Sequence, residues 1–190
     1  MIEEAISELE SFSKQGDSYT NDQGAFGWRN PIRKDTGRIL QSVVSASGPR
    51  RMLEIGTAHG LSALYLIQGT DKVSCKLDTI EFDEAVAHQS QRLMDRLNLP
   101  VNVIAGEAMA VIERLTEPYD LVFLDAQKSH YGKQIKKLWE KGLVRKDTVI
   151  LADNVLDRAS EVADFIEWFH ELQLPYTIIP TECGLLVSKL

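Results

Sequence analysis

One segment, Arg51-Met-Leu-Glu-Ile-Gly-Thr-Ala-His-Gly-Leu-Ser62, constrains the fold of this chain more than any other. It passes from a short apolar run through Glu54, Gly56 and Gly60 into residues of helical character, which predicts a strand, a tight turn and a helix. Glycine lets the backbone turn sharply and come close to a ligand, because it has no side chain to block the approach. The segment therefore predicts a turn that leaves room for a small nucleotide-like molecule.

The charge of this turn indicates which ligand it suits. A dinucleotide-binding turn spaces its glycines G-x-G-x-x-G and holds a pyrophosphate at a helix N-terminus. Here the pattern is E-x-G-x-x-x-G, beginning at Glu54, and the loop contains no lysine. An acid at the strand end suits a positively charged ligand, such as S-adenosylmethionine, better than a phosphate. An ordinary strand-to-helix turn is the alternative for this segment taken alone.

Composition narrows the class of protein. The chain has 190 residues, 44% of them hydrophobic and 26% charged, which fits one domain over residues 1–190. No apolar run approaches the roughly 20 residues of a membrane helix, and the N-terminus lacks a signal-peptide pattern, so we expect a cytoplasmic protein without membrane contact. Cys75 and Cys183 match no metal or redox spacing. The net charge of -7 argues against non-specific nucleic-acid binding.

The order of apolar runs predicts an α/β fold. From Arg50 onward, short apolar runs alternate with longer amphipathic ones, which is typical of β-α units and a largely parallel sheet. Helices and a lid are expected over residues 1–48, and the sheet-containing core over 49–190, closed by an antiparallel strand pair. The predicted strands cover 50–55, 77–82, 101–105, 119–125, 147–153, 175–180 and 184–189. The predicted helices cover 2–14, 33–47, 60–68, 83–97, 107–115, 130–141 and 158–172, with a loop or lid over 16–30.

Five successive predicted strands are followed by acids, at the edge where an open parallel sheet binds its ligands. These are Glu54, Glu81 with Asp83, Glu107, Asp125, and Asp153 with Asn154. Glu81 lies 27 positions beyond Glu54 and is placed to accept hydrogen bonds from both hydroxyls of a ribose. Gly106, Glu107 and Ala108 are expected against the adenine. Asp83 is better explained as a helix N-cap.

Asp125, Asp153 and Asn154 predict a metal site. Each of the two acids follows a strongly apolar strand, where burying an unpaired charge is costly and a cation would relieve that cost. Two carboxylates and an amide oxygen suit Mg²⁺ or Ca²⁺ and not zinc. Lys128, three residues after Asp125, would fall beside the metal and could act as a base. A plain surface lysine is its alternative.

Residues 29–51 hold a local excess of basic side chains. Arg29, Arg33, Arg38, Arg50 and Arg51 belong to it. A basic face of this kind suits a nucleic acid, and a solvated helix face is the alternative.

Several motifs together resemble the cation-dependent O-methyltransferases, a family that includes catechol and caffeoyl-CoA O-methyltransferases and bacterial tRNA 5-hydroxyuridine methyltransferases. The motifs are Leu-Glu-Ile-Gly-Thr-Ala-His-Gly-Leu-Ser (53–62), Thr-Ile-Glu-Phe-Asp (79–83), Phe-Leu-Asp-Ala-Gln-Lys-Ser-His-Tyr (123–131), Ala-Asp-Asn-Val-Leu (152–156) and the ending Pro180–Leu190. The resemblance covers the chain from about Pro31 onward. It implies a Rossmann-like class I methyltransferase fold, with a seven-stranded mostly parallel sheet, helices on both faces and an antiparallel C-terminal strand.

The resemblance also implies roles for individual residues. Asp125, Asp153 and Asn154 match the metal ligands, and Lys128 matches the lysine that serves as base. Glu81 matches the ribose ligand. The residues expected to contact S-adenosylmethionine are Glu54, Gly56, Thr57, Ser62, Glu81, Phe82, Glu107, Ala108 and Asp125. A homodimer is expected as well.

The sequence departs from the family in two places. The segment after Asp153-Asn154 runs almost at once into a predicted helix, where the family has a longer insertion, and the closing Asp-Gly-Leu is Cys183-Gly-Leu here. A shortened substrate wall is therefore expected.

The prediction for function is an O-methyltransferase that uses S-adenosylmethionine and Mg²⁺, or another divalent cation such as Mn²⁺ or Ca²⁺, on a hydroxyl of a small catechol-like or phenolic substrate. A tRNA 5-hydroxyuridine substrate is the first alternative. A protein that binds S-adenosylmethionine without transferring its methyl group is the second. A nicotinamide-dependent oxidoreductase is disfavoured by the missing G-x-G-x-x-G.

Overall fold

The computed structural model describes residues 1–13, 19–20, 26–27, 31–71 and 74–190. Its nine strands in these ranges are β1 (Tyr19–Thr20), β2 (Phe26–Gly27), β3 (Arg51–Ile55), β4 (Lys76–Glu81), β5 (Val101–Ala105), β6 (Leu121–Leu124), β7 (Val149–Ala152), β8 (Thr177–Ile179) and β9 (Leu185–Lys189). Its helices are α1 (Ile2–Ser13), α2 (Lys34–Ser47), α3 (Leu61–Gln68), α4 (Glu84–Arg96), α5 (Ala108–Arg114), α6 (Tyr131–Glu140) and α7 (Ala163–Glu171). A single 3₁₀ turn, Lys128–His130, precedes α6.

The main sheet has seven strands in the order β5-β4-β3-β6-β7-β9-β8. The strands from β5 to β7 are parallel, whereas β9 pairs antiparallel with both β7 and β8. Within this sheet, the chain first forms the central strand β3 and then adds β4 and β5 outward on one side. It then returns to form β6 on the other side of β3. This reversal is a topological switch point, where open α/β sheets form their ligand clefts. The seven-stranded, mostly parallel sheet with antiparallel C-terminal strands confirms the predicted fold class.

Two apolar cores hold the sheet between its helices. Side chains alternate along β3, so that Met52 packs with α1 to α4 on one face and Leu53 packs with α5 to α7 on the other. Strands β6 and β7 are buried along their whole length, as continuous apolar strands of a covered parallel sheet should be. Among the described helices, none is long and apolar enough to span a membrane.

Two regions differ from the prediction. The helix expected over 158–172 begins only at Ala163, because the amides of Val155 and Leu156 donate to the carbonyls of Gly184 and Cys183 and hold this stretch in turns. Within the predicted lid over 16–30, β1 and β2 form a short antiparallel pair. The rest of that lid, Arg29 included, lies outside the described residues.

Candidate active site

A cavity of ≈ 2360 Å³ opens at the carboxyl ends of the parallel strands. A pocket for one ligand usually measures about 300–1,000 Å³, so this cavity has room for a cofactor and a second molecule. It brings together the predicted residues Gly56, Thr57, Ser62, Glu81, Phe82, Ala108, Asp125, Lys128, Asp153 and Asn154. Glu54 and Glu107 do not line it.

The glycine turn after β3 lets the ends of two strands approach closely. Gly56 has φ +109°, and a Cβ atom there would lie 2.4 Å from the carbonyl oxygen of Asp125, the residue that follows β6. Gly60 has φ +86° and immediately precedes α3. A side chain at position 56 would separate the turn from Asp125, so the cavity floor depends on this glycine.

Glu81, the last residue of β4, is fixed by backbone amides. Its Oε2 accepts a hydrogen bond from the amide of Ala58 (2.8 Å) and its Oε1 from the amide of Asp83 (3.0 Å). Each carboxylate oxygen has further acceptor capacity, so the carboxylate can still receive two ligand hydroxyls. The next residue, Phe82, lines the cavity with its side chain 78% exposed. An exposed aromatic face at this position suits a flat ring.

Glu107 caps a helix. Its carboxylate accepts hydrogen bonds from the amides of Met109 (3.0 Å) and Ala110 (2.8 Å) at the start of α5. Gly106 and Ala108 line the cavity on either side of it. Glu107 thus fixes the N-terminus of α5, and the cofactor contacts expected for this stretch stay predictions.

Glu54 lies beneath the cavity floor. Its side chain is fully buried and accepts a hydrogen bond from the hydroxyl of Thr79, which faces it across β3 and β4. Burial raises the pKa of Glu54 to about 7, against the opposing effect of hydrogen bonds from Ser62 and Thr79. Thr57, in turn, joins the network through its hydroxyl, 2.6 Å from that of Thr79.

Asp125, Lys128 and Asp153 form the polar end of the cavity. Nζ of Lys128 lies 2.8 Å from Oδ1 of Asp125, and both side chains are largely buried. Burial raises the pKa of Asp125, whereas the ammonium group of Lys128 acts in the opposite direction. Burial and the neighbouring Asp125 carboxylate raise the pKa of Asp153 to about 7.

These residues fit a hard divalent cation. Oδ1 of Asp153 is buried and has no hydrogen-bond partner in the described part of the chain, so a cation would satisfy it. Asn154 donates its amide to Oδ2 of Asp157 (3.2 Å), which leaves its carbonyl oxygen as an acceptor. Over the described ranges, no three His, Cys, Asp or Glu side chains form a metal cluster. The candidate donors are therefore two carboxylates and one amide oxygen, the hard set that Mg²⁺ prefers.

The sequence predicted no functional role for Tyr131. Its buried hydroxyl donates to the backbone carbonyl of Asp153 (3.3 Å), and its ring centroid lies 5.7 Å from Nζ of Lys128. Its spacing of three residues from Lys128, across a short helical turn, is the signal that would have revealed it. Tyr131 thus contacts both Asp153, through its hydroxyl, and Lys128, through the face of its ring.

The segment after Asn154 packs against the C-terminal strand pair. The amides of Leu156 and Asp157 both donate to the carbonyl of Cys183, at 3.0 Å and 3.3 Å. Asp157 and Cys183 line the cavity, and Arg33 forms an exposed ion pair with Glu182 at 3.2 Å beside them. This side of the cavity is therefore built from this loop and the β8–β9 turn, and its shortening relative to the family stays a prediction.

A sequence model of one protein family, described as O-methyltransferase, matches residues 18–167. The chain is 34% identical over 148 residues to catechol O-methyltransferase B of Danio rerio, which covers 74% of this chain and 55% of that protein. It is 31% identical over 139 residues to a catechol O-methyltransferase of Niastella koreensis, which covers 70% of this chain and 61% of that protein. The chain thus spans little more than half the length of these relatives.

The fold also matches a solved structure. An O-methyltransferase of Bacillus cereus, solved in complex with SAH, superposes with a TM-score of 0.79 at 24% identity. The superposition covers 97% of this chain and 90% of that one. With the family match and the curated relatives, this shared fold shows that the chain belongs to the O-methyltransferase family that includes the catechol O-methyltransferases.

Proposed function

We propose that this protein transfers the methyl group of S-adenosylmethionine to a hydroxyl of a small catechol-like substrate, with a divalent cation at Asp125, Asp153 and Asn154. One observation carries the proposal. A single cavity joins a carboxylate suited to a ribose, Glu81, to a buried site of two carboxylates and a lysine. Cofactor and substrate would therefore meet between the ends of β3 and β6.

Residues at the cofactor end of the cavity would bind and orient S-adenosylmethionine. Glu81 would accept the ribose hydroxyls, and the exposed face of Phe82 would pack on the adenine ring. Gly56 lets the ligand lie close to the backbone. Methyl transfer to an oxygen needs an in-line approach, and positioning of this kind is worth up to about 7–11 kcal/mol.

The polar end would prepare the substrate hydroxyl. A divalent cation, when bound by Asp125, Asp153 and Asn154, polarises substrate oxygens and lowers the pKa of a hydroxyl. Lys128, whose Nζ lies 2.8 Å from Oδ1 of Asp125, would stabilise the oxyanion as an ammonium group, or take the hydroxyl proton after it has first lost its own proton. Tyr131 keeps Asp153 and Lys128 in place through its hydroxyl and its ring.

Charge placement favours a small substrate over tRNA. Among the described residues, the predicted basic segment is divided between two edges of the sheet, with Arg33, Lys34 and Arg38 at the cavity. Arg33 is paired with Glu182 at the cavity, whereas Arg51 begins β3 at the opposite edge of the sheet and contacts Asp78 and Glu117. A tRNA would need a continuous basic surface beside the cavity, whereas the described lining of this cavity contains more acidic than basic side chains.

An activity assay with matched controls tests the proposal. Catechol methylation should vanish in EDTA, return with Mg²⁺ or Mn²⁺, and be lost in Asp153→Ala while cofactor affinity changes little. Asp95→Ala, which removes an exposed carboxylate on α4, should remain active. Full activity in chelator would remove the metal from the proposal. Tight cofactor binding without methylation of catechol or hydroxyuridine-containing tRNA would favour the alternative of a binding protein without transfer activity.

The ribose contact has its own test. Glu81→Ala should weaken S-adenosylmethionine binding by roughly 1.5–3 kcal/mol, because hydrogen bonds to a charged acceptor are lost. Calorimetry measures this change, with NAD as the comparison ligand. Tight NAD binding and no binding of S-adenosylmethionine would contradict the proposed cofactor.

A further inference from the structure

We propose that Glu54 distinguishes the positively charged methyl donor from its neutral product, by holding a proton while the site is empty or product-bound and releasing it to solvent when the donor binds. The inference rests on the proposed function. Loss of the methyl group turns a sulfonium cation into an uncharged thioether, so donor and product differ by one charge at one atom. A buried acid close to that atom can respond to this difference.

Among the described residues, no positively charged group stabilises a negative charge on Glu54. Its side chain has no exposed surface, and Oε1 has no hydrogen-bond partner among the described residues. Within the described structure, the groups that stabilise a negative charge on Glu54 are two hydroxyls, of Ser62 and Thr79. Hydroxyls do not offset the cost of burying an ionised carboxylate, and such a group remains protonated instead.

The charged groups that act on Glu54 within the described structure are both acidic. Glu81 at the end of β4 and Asp125 after β6 each disfavour ionisation of Glu54, while Ser62 of α3 and Thr79 of β4 contribute hydroxyls. Burial, assisted by the charges of Asp125 and Glu81, raises the pKa of Glu54 to about 7, although the hydroxyls of Ser62 and Thr79 act in the opposite direction. In the empty cavity Glu54 therefore holds its proton below about pH 7 and loses it above that pH.

One layer of side chains separates Glu54 from the cavity. Thr57 and Ser62 line the cavity floor, and both belong to the hydroxyl network that reaches the carboxylate. A cation placed on this floor acts through a region of low dielectric and favours the ionised carboxylate. A thioether in the same place exerts no such effect. Donor binding should thus release a proton near neutral pH, and product binding should not.

Calorimetry in two buffers of different ionisation enthalpy counts the protons released. S-adenosylmethionine and S-adenosylhomocysteine are titrated into the full chain between pH 6 and pH 8, with Mg²⁺ present throughout. We expect up to one proton to be released on binding the donor and close to none on binding the product. Donor affinity should rise with pH and level off above about pH 7, whereas product affinity should stay flat.

Variants separate this role from a structural one. Glu54→Gln should abolish the difference in proton release and weaken donor binding at pH 8 about tenfold, with product affinity within about twofold. Thr79→Val removes one hydroxyl but keeps the carboxylate, and should move the proton release to higher pH. Glu167→Gln, an exposed carboxylate on α7, should behave as the parent.

Three outcomes would overturn the inference. Equal proton counts for donor and product in the parent protein would refute it while leaving the proposed function intact. Donor-linked proton release that persists in Glu54→Gln would assign the proton to another group. Failure of both ligands to bind would refute the proposed cofactor, and the role of Glu54 with it.

Discussion

Buried acids at strand ends combine function with a cost in stability. Glu54 and Asp153 both have a pKa raised to about 7, mainly because burial disfavours their charged forms. Asp125 differs because Lys128 lies within hydrogen-bonding distance of its carboxylate. The site thus holds one internally neutralised acid and two acids whose ionisation awaits a positively charged ligand.

The pH dependence of the free energy of unfolding should reveal the ionisation of Glu54. Because the pKa of Glu54 rises from 4.5 to about 7 on folding, its contribution to stability is full below pH 4.5 and is lost as pH rises through 7. In urea unfolding of the ligand-free protein, the free energy of unfolding of the parent should fall relative to Glu54→Gln by up to about 3 kcal/mol between pH 4.5 and pH 8. Parallel curves for the two proteins would show that Glu54 ionises normally.

Two variants test whether Lys128 acts as a base or stabilises the oxyanion of the substrate. Lys128→Met should lower kcat by about 10²–10⁴-fold, the usual contribution of a positioned proton-transfer group. Lys128→Arg keeps a positive charge but cannot serve as a base, so substantial activity in that variant would assign the lysine to charge stabilisation. Lys133→Met, at an exposed position of α6, is the matched control. Unchanged kcat in Lys128→Met would exclude both roles.

At this scale the sequence predicted the positions of the acids but not their exposure. Parallel strands bring their carboxyl ends to one edge, so Glu54, Glu81 and Asp125 could be grouped from spacing alone. Glu54 lies one residue before the end of β3 and directly faces Thr79, whereas Glu81 ends β4 and reaches the cavity. That distinction depends on register between strands far apart in sequence.

At the scale of elements, apolar periodicity located the strands and helices of the core to within a few residues. Strands β6 and β7 are short and fully apolar, and helix α4 is amphipathic, so these elements had a clear signal. The predicted start of α7 was wrong by five residues because the amides of residues 155–157 donate long-range hydrogen bonds to the carbonyls of Cys183 and Gly184. No local pattern reports such contacts.

The glycine turn gives a prediction about elements. Gly56→Ala should destabilise the protein by about 3–5 kcal/mol, because it combines an unfavourable positive φ with a Cβ atom 2.4 Å from the carbonyl oxygen of Asp125. Gly48→Ala, at φ +59° with no atom within 4 Å, should cost only about 1–2 kcal/mol. Urea unfolding measures both. Equal costs would mean that β3 and β6 can separate without strain.

At the scale of the whole molecule, the described arginines of the segment 29–51 are divided between the two edges of the sheet. Arg33 and Arg38 line the cavity, while Asp120 and Asp78 meet the backbone and side chain of Arg51 at the opposite edge. The net charge and the clustering of basic residues in the sequence could not reveal this division, because the two ends of a strand lie at opposite edges of the sheet. The expected homodimer and cytoplasmic location stay predictions, and sedimentation of the purified chain would test the first.

Ionic strength separates the two substrate classes. Phosphate contacts make nucleic-acid affinity fall by orders of magnitude between about 50 and 200 mM salt, whereas binding of a neutral phenol barely responds. We therefore expect the KM for catechol to change less than about twofold over that range, and tRNA containing hydroxyuridine to remain unmethylated. Arg33→Glu combined with Arg38→Glu should leave S-adenosylmethionine affinity within about threefold, roughly 0.65 kcal/mol. Methylation of tRNA that is lost at high salt and in this double variant would instead establish a nucleic-acid substrate, since Arg33 and Arg38 would then have to bind its phosphates.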